Sequence, residues 1–414
     1  MRSALHAPTR RELLLASGVL FAWAYVPKLA RAERRDPRFL VIVLRGALDG
    51  LATVAPVGDP DWVRLRGDKA LTLSGANPGL ALDGFFALNP AMPNLHRLYK
   101  AKQATIVHAV ATPYRERSHF DGQDVLESGF AKPGQTDSGW LNRALATLAA
   151  DEPVATQGRA TFAVGPVTPL VVRGKAQILS WTPPRLPPAA DDTVARLLDL
   201  YVHTDPDLAR ALEERIGVAA IAKDGDMSVS PGRGVATGGA VRRYFLESAG
   251  AAAKFLARPD GPRIGALAFD GWDTHANEGA TNGRLAALLG ALDGAIAAVE
   301  SGMGDAWRDT VVAVVTEFGR TARINGTEGT DHGTATVALL VGGALKGGRI
   351  IADWPGLSAN KLHEGRDLRP TTDLRAVMKG VLRDHLRVSD GALATAVFPD
   401  SAAARPTGGL VATA

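Results

Sequence analysis

The feature that most constrains the fold of this chain is a series of short, continuous apolar runs separated by helical stretches. The runs are rich in β-branched residues, which is typical of strands buried on both faces of a parallel sheet. The predicted strands are 39–44 (FLVIVL), 104–110 (ATIVHAV), 162–164, 170–172, 264–269, 310–315 (TVVAVV) and 336–341. The predicted helices are 118–127, 142–150, 193–216, 241–256, 284–300 and 372–386. This alternation predicts an α/β fold with a doubly wound, mainly parallel sheet and helices on both faces.

The first 32 residues are predicted to be a secretory signal. Arg10 and Arg11 precede an apolar stretch at 13–26, and Ala30-Arg31-Ala32 follows as a small-residue cleavage site. The paired arginines indicate the twin-arginine route, so we expect the twin-arginine translocase as a partner during export and a periplasmic or secreted location. An uncleaved membrane anchor is the alternative, although the stretch is shorter than the ~20 residues of a transmembrane helix.

Removal of this segment changes the charge balance. The whole chain has 47 Lys+Arg and 43 Asp+Glu, and five of the bases and one of the acids lie within residues 1–32. The mature part is therefore balanced, which argues against a nucleic-acid partner. The chain has no cysteine, so its core has to stabilise it without disulfides. We expect residues 33–414 to form a single domain with a helical insertion around 190–258 and no stable membrane span.

Three loops that follow predicted strands contain possible metal ligands. Asp49 follows the first strand, and Asp273 and His275 follow the strand at 264–269. Asp331 and His332 stand in a Gly/Thr-rich loop after the strand at 310–315. In open α/β sheets, sites form beyond the carboxyl ends of the strands, so these side chains are expected to converge. Taken singly, each loop also allows a structural interpretation as a turn or a helix cap.

The spacing within the loops bears on the number of ions. Asp331 and His332 are adjacent and would point to opposite sides of an extended backbone, so the pair can serve two metals. Asp273 and His275 are two apart and would serve one. Carboxylates and imidazoles together suit divalent ions such as Zn, Mn, Mg or Ca. The sequence therefore predicts two divalent metal ions in a hydrolytic site.

A candidate nucleophile precedes the helix at 118–127. Ser118 could form a capping box with Asp121, or it could attack a substrate from the positive end of the helix. His119 is either a further metal ligand or a packing residue. Arg117 could bind an anionic substrate, although an exposed arginine in a loop is equally consistent with solvation.

Two further candidates follow the strand at 310–315. Glu317 is placed to reach a metal and Arg320 to reach an anion. A salt bridge between loop residues is the structural alternative for this pair. The glycines near residues 342–348 lack the strand–GxGxxG–helix context of a dinucleotide site, so no nicotinamide or flavin cofactor is expected.

The motifs, taken in order, resemble the DUF1501 family of exported bacterial proteins. The resemblance rests on Leu48-Asp49-Gly50, Ser118-His119-Phe120, Gln123-Asp124, Trp272-Asp273-Thr274-His275, Thr316-Glu317-Phe318-Gly319-Arg320-Thr321, Gly329-Thr330-Asp331-His332-Gly333 and Pro370-Thr371-Thr372-Asp373. The family is similar in turn to the alkaline phosphatase/sulfatase superfamily, which implies a doubly wound α/β sheet with metals at the strand ends. In that superfamily the Asp-His-Gly doublet stands at the strand end where this chain has Glu317.

The resemblance implies an exported, metal-dependent hydrolase that acts on phosphate or sulfate esters. Its substrate would be an anionic small-molecule or glycan ester, with Ser118 in the position of the nucleophile. Asp49, Asp273, His275, Asp331 and His332 would correspond to the superfamily's metal ligands. The sulfatase signature Cys/Ser-x-Pro-x-Arg is absent, since Ser118 is followed by His119 and Phe120. A non-catalytic exported binding or assembly protein that retains the fold is the alternative.

Overall fold

The computed structural model describes residues 35–148, 161–164, 168–176, 178–181, 191–213 and 238–412. The predicted signal at 1–32 and the Pro-rich segment at 182–188 lie outside these residues, so the signal and the export route stay predictions. Twelve strands are present in the described part of the chain: β1 Arg38–Arg45, β2 Val54–Ala55, β3 Leu80–Ala81, β4 Ala87–Leu88, β5 Ala104–Ala111, β6 Thr161–Val164, β7 Ile178–Trp181, β8 Ile264–Asp270, β9 Thr310–Thr316, β10 Thr336–Val341, β11 Arg349–Ile351 and β12 Thr372–Asp373.

Nine strands form one central sheet. Its order is β11-β5-β10-β9-β1-β8-β6-β7, and β12 also pairs with β5. Only β10 runs antiparallel to its neighbours, β5 and β9, and every other pair in this sheet is parallel. The prediction of a mainly parallel sheet is confirmed. The remaining strands β2, β4 and β3 form a small antiparallel sheet.

The helices lie in sequence as α1 Gly50–Thr53, α2 Trp62–Arg66, α3 Pro93–Lys100, α4 His119–Ser128, α5 Trp140–Ala146, α6 Asp191–Thr204, α7 Gly238–Ala257, α8 Arg284–Met303, α9 Leu374–Leu386 and α10 Asp390–Ala392. The prediction of a strand at 170–172 is wrong, because these residues form one turn of 3-10 helix. The predicted helix from 193 is interrupted after Thr204, where the next residue, Asp205, precedes Pro206 and is disfavoured in helical conformation.

Alternate residues of β1 show why the sheet is covered on both faces. Leu40, Ile42 and Leu44 belong to a core formed with α3, α7 and α8. Phe39 and Val41 belong to a second core on the opposite face, formed with α5 and α9. Successive side chains of a strand point to opposite faces, so a continuous apolar run requires two apolar layers. The doubly wound arrangement follows directly from this run.

Helix α8 is the most apolar helix of the described residues. By length and composition alone, the stretch Arg284–Asp309 could cross a membrane, and an 18-residue window within it has a mean hydropathy of 1.4. Half of that window is buried inside this chain, and Leu285, Leu289 and Leu292 belong to the same hydrophobic core as Phe245 of α7. The fold therefore uses this stretch as a helix of the core.

We predict that Gly319, in the loop after β9, cannot be replaced without loss of stability. A Cβ atom at Gly319 would lie 2.0 Å from the carbonyl oxygen of Ala335, and this backbone cannot give way as a flexible side chain would. Gly319→Ala is expected to lower the free energy of unfolding by about 2 kcal/mol or more. Gly326→Ala is the matched control, since nothing lies within 4 Å of its Cβ position. Equal denaturation midpoints for the two variants would contradict this packing.

Candidate metal centre

The candidate site lies at one edge of the central sheet. β9, β1 and β8 are adjacent and parallel, so the loops after their carboxyl ends meet at this edge. Those loops carry Glu317, Asp49 and Asp273, respectively. β5 runs in the same direction and leads to His119 at the start of α4. β10 runs the opposite way, so its amino end, preceded by His332, reaches the same edge.

A hairpin between β9 and β10 places His332 beside the end of β9. The N–H of Gly333 donates to the carbonyl oxygen of Gly319 at 2.8 Å. The N–H of Thr321 donates to the carbonyl oxygen of Asp331 at 2.9 Å. Arg320 and His332 form an antiparallel bridge within it. The Asp-His-Gly sequence therefore returns to the strand end, although Asp331 comes 14 positions after Glu317 in the chain.

Three imidazole Nε2 atoms converge on one carboxylate oxygen, Oδ1 of Asp273. Those of His275, His332 and His119 lie 3.1, 3.3 and 3.4 Å from it, respectively. The Nε2 atoms of His275 and His332 are 3.0 Å apart. Among the described residues, His119, Asp273 and His332 form a group whose three donor atoms all lie within 4.8 Å of one another. The histidines and Asp273 are thus brought together as predicted from their loops.

The Nδ1 atoms of two imidazoles are held by acceptors. Nδ1 of His119 lies 2.9 Å from Oε1 of Glu317, and Nδ1 of His332 lies 2.8 Å from the carbonyl oxygen of Arg117. A carbonyl and a carboxylate only accept, so each Nδ1 carries the proton and donates it. In the neutral ring the lone pair then belongs to Nε2, which faces Asp273. The Nε2 atom of His119 is buried and has no hydrogen-bond partner.

The pKa directions favour an ionised Asp273 and a neutral His332. Burial favours the neutral acid of Asp273, but the hydrogen bond and charge of Arg320 outweigh it and lower the pKa. Burial also lowers the pKa of His332. The hydrogen bond with Glu317 raises the pKa of His119 against the opposing effect of burial. His332 is therefore held in the neutral form that ligates metals.

The donor set fits a divalent cation. Ligand distances of about 2.0–2.1 Å in a tetrahedral zinc site place neighbouring donor atoms about 3.3–3.4 Å apart. The separations of 3.1 to 3.4 Å around Asp273 are close to that spacing. The carboxylate of Glu317 behind His119 matches the way metal-bound histidines are oriented by an acceptor on the other ring nitrogen.

Glu317 and Asp331 lie behind the imidazoles rather than among the converging atoms. Glu317 is fully buried, and its Oε1 accepts from the N–H of Gly46 at 2.8 Å and from Gln123 at 3.2 Å. Asp331 lies on the outer side, where its Oδ1 is 3.5 Å from Nδ1 of His275 and accepts from Asn325 at 3.0 Å. Both residues orient the cluster in this structure.

Asp49 is held elsewhere in the strand-end region. Its two carboxylate oxygens accept from the guanidinium of Arg66 at 2.5 and 3.0 Å, and Oδ1 also accepts from the N–H of Ala52 at the start of α1. The carboxylate is 1% exposed. Arg66 stands in no motif that singles it out in the sequence, yet it occupies the carboxylate that was predicted to bind a metal.

The two candidate anion-binding arginines are also committed to protein groups. The buried guanidinium of Arg320 donates to Asp273 and to the carbonyl oxygens of Gly46 and Ala47. That of Arg117 donates to Asp367 at 2.7 Å and to Glu364 at 2.6 Å. In this structure each arginine holds loops in place.

Ser118 stands at the start of α4, directly before His119. It has the extended backbone of an N-cap residue, but its side chain makes no capping hydrogen bond. The capping-box interpretation of Ser118 with Asp121 is therefore not borne out in the described structure. The preceding residue, Arg117, has a left-handed φ of +61°, a conformation in which its carbonyl faces His332.

The family model for DUF1501, described as a protein of unknown function, matches residues 36–398. The chain belongs to the DUF1501 family. This confirms the family resemblance found in the sequence motifs, and it covers β1 to the turn after α10. No curated protein matches the chain.

Several solved structures are similar to this DUF1501 chain. A protein of the alkaline phosphatase superfamily from Vibrio parahaemolyticus is 14% identical with a TM-score of 0.34, and the match covers 74% of this chain and 60% of that one. The phosphonate monoester hydrolase of Agrobacterium radiobacter is 13% identical with a TM-score of 0.35, and the match covers 85% of this chain and 74% of that one. A sulfatase from Pseudoalteromonas sp. is 10% identical with a TM-score of 0.34, and the match covers 83% of this chain and 68% of that one. The chain thus spans less than two thirds of the Vibrio protein, and likeness at this level says nothing about what this chain binds or converts.

We predict that the stability of this DUF1501 protein falls between pH 4.5 and about 8, because Glu278 stays protonated in the folded protein over that range. Burial, followed by the nearby charge of Asp49, raises the pKa of Glu278 from 4.5 to about 8. Between these two pH values the folded protein keeps a proton that the unfolded chain has lost. The contribution of Glu278 to the free energy of unfolding is therefore complete below pH 4.5 and is lost as the pH rises through about 8.

Chemical denaturation at intervals from pH 5 to pH 9 checks this expectation. The hydroxyl of Thr330 donates to Glu278 Oε2 at 2.7 Å, and Glu278→Gln keeps an uncharged side chain at this position. The variant should therefore lack the part of the pH-dependent fall in stability that Glu278 causes. Glu116→Gln, at an exposed position, is the control and should follow the wild-type profile. A Glu278→Gln profile parallel to that of the wild type would contradict a raised pKa.

Proposed function

We propose that this chain is an exported, metal-dependent hydrolase of phosphate or sulfate esters. The observation that carries the proposal is the convergence of three imidazole Nε2 atoms on Oδ1 of Asp273 at a strand-end edge. An exposed site is required for turnover, and Asp273 and His275 are 42% and 46% exposed at this point. A purely structural histidine cluster would have no need to leave the carboxylate open to solvent.

The residues that would hold a divalent cation are His119, Asp273 and His332, with His275 at the open side. A cation held there would act as a Lewis acid and neutralise charge that develops on an ester oxygen. The protein itself contributes orientation: Glu317 fixes the ring of His119, and the Arg117 carbonyl fixes that of His332. The second of the two predicted metals would need Asp49 or Asp331. Because Arg66 occupies Asp49, and Asp331 lies beside Nδ1 of His275 and accepts from Asn325, we propose one cation at this cluster.

Ser118 is the proposed nucleophile. It is adjacent in sequence to His119, and its side chain is not used to cap α4. Its proton would have to pass to a base at the site. Arg117 and Arg320 would act as positioning residues, since their guanidinium groups already pair with Asp367 and Asp273.

Export by the twin-arginine route, with the translocase as a transient partner, is part of the same proposal. It rests on Arg10-Arg11, the apolar stretch that follows and Ala30-Arg31-Ala32. An anionic small-molecule or glycan ester is the proposed substrate class. In the periplasm or outside the cell, the protein would meet such esters in solution. Because Asp273 and His275 are exposed at the edge of the sheet, an ester could reach the site from solvent.

We predict that the purified protein binds one equivalent of a divalent cation and that His332→Ala lowers its affinity strongly. Loss of one of the three converging donors is expected to weaken binding by more than about tenfold. His96→Ala is the matched control, because the ring of His96 contacts the carbonyl of Ala81, away from the cluster. Titration calorimetry with Zn²⁺ and Mn²⁺ measures both variants. Wild-type protein that binds neither ion, also after chelation and refilling, would contradict the metal site.

We predict that the metal-loaded protein hydrolyses aryl phosphate or aryl sulfate and that Ser118→Ala abolishes turnover while keeping the metal. The hydroxyl would supply the attacking oxygen, whereas it is not one of the converging donors. Thr395→Ala, at a hydroxyl that donates within its own helix end, is the control. Metal binding without turnover of any ester would favour the alternative of a binding or assembly protein.

A further inference from the structure

The most exposed large apolar side chain of the described residues belongs to the residue that follows His119 in the chain. Phe120 is 88% exposed, whereas the next most exposed, Val63, is 57% exposed. A phenyl ring offers about 150–250 Å² of apolar surface, and leaving it in water forgoes the gain of burial. Phe120 follows His119 directly and occupies the first turn of α4.

The faces of α4 show where Phe120 stands. One face of α4 packs inward. Gly122 lies so close to Phe318 that an added Cβ would be 2.9 Å from its ring. Val125, on the same face, belongs with Phe318 to a small hydrophobic core. The adjoining face touches the site, because His119 and Gln123 both contact Oε1 of Glu317. Phe120 is three residues before Gln123, so the two side chains are neighbours on the helix surface, with Phe120 nearer to the helix start.

The neighbouring rings already form a wall on one side of the cluster. His119 stacks on Phe318 with ring centroids 5.1 Å apart, and His332 is 4.3 Å from His119. The wall continues to His275, whose ring centroid is 4.7 Å from that of His332. Phe120 follows His119 in the chain, at the start of α4, and its own ring is largely in solvent.

We propose that Phe120 is a specificity-determining residue that stacks on a ring in the alcohol part of the ester substrate. The inference rests on the proposed hydrolase function and adds the substrate class: esters of ring-bearing alcohols are preferred over esters of small open-chain alcohols. Ring stacking selects by shape and apolar surface, whereas the ester's charge is left to the cluster. Phe120 takes no part in the chemical step, so it affects substrate binding more than the maximal rate.

The test compares benzyl with methyl esters of phosphate and sulfate in wild-type and Phe120→Ala protein. Both alcohols attach through a CH₂ or CH₃ carbon, so they differ mainly in the ring. Phe120→Ala is expected to raise KM for the benzyl ester about five- to tenfold, with kcat and both constants for the methyl ester nearly unchanged. Phe120→Trp, which restores a ring, should return KM toward wild type. Val63→Ala, at the other exposed apolar position, is the control.

Binding of benzylphosphonate and methylphosphonate, measured by calorimetry, separates this inference from the hydrolase proposal. Wild-type protein should bind the benzyl compound about five- to tenfold more tightly than the methyl compound, and Phe120→Ala should lose that preference. If no ester is hydrolysed but the wild type binds benzylphosphonate more tightly than methylphosphonate, the hydrolase proposal fails, whereas the proposed stacking on Phe120 is supported. Equal affinity of the wild type for the two compounds, or a preference that Phe120→Ala keeps, overturns the inference.

Discussion

The buried guanidinium of Arg320 is the interaction on which the site depends most. It donates to Asp273 in the loop after β8, and to the carbonyl oxygens of Gly46 and Ala47 in the loop after β1. It also donates to the carbonyl of Thr330, within the hairpin that carries His332, at 3.2 Å. One planar group with five donors thus ties three loops together. Loss of this group would leave buried carbonyls unpaired and would free the carboxylate at the centre of the cluster.

Two acceptors then determine how the imidazoles face. Glu317 accepts a hydrogen bond from Nδ1 of His119, and the Arg117 carbonyl accepts one from Nδ1 of His332, so both rings present Nε2 to Asp273. Neither acceptor is a converging atom itself. The left-handed backbone of Arg117 is a local cost of order 1–3 kcal/mol that the surrounding hydrogen bonds have to offset.

Much of the architecture was predictable because it follows from side-chain periodicity. The run Phe39–Leu44 has apolar residues at every position, and only a strand between two apolar layers can bury all of them, as β1 does. The helices α4, α8 and α9 were predicted to within a few residues for the same reason. The stretch 170–172 was predicted wrongly, since three apolar residues have no period that separates a strand from a 3-10 turn.

The sequence by itself determined the layers of the fold, the family and the loops that carry Asp273, His275, Asp331 and His332, because these depend on residue order and local pattern. Only the tertiary structure decided which of those side chains meet. Arg66 lies 17 positions from Asp49 and occupies its carboxylate, whereas Glu317 reaches His119 across 198 positions. A single sequence contains no signal for pairings of this kind. They depend on how parallel strands and one antiparallel hairpin bring distant loops to the same edge.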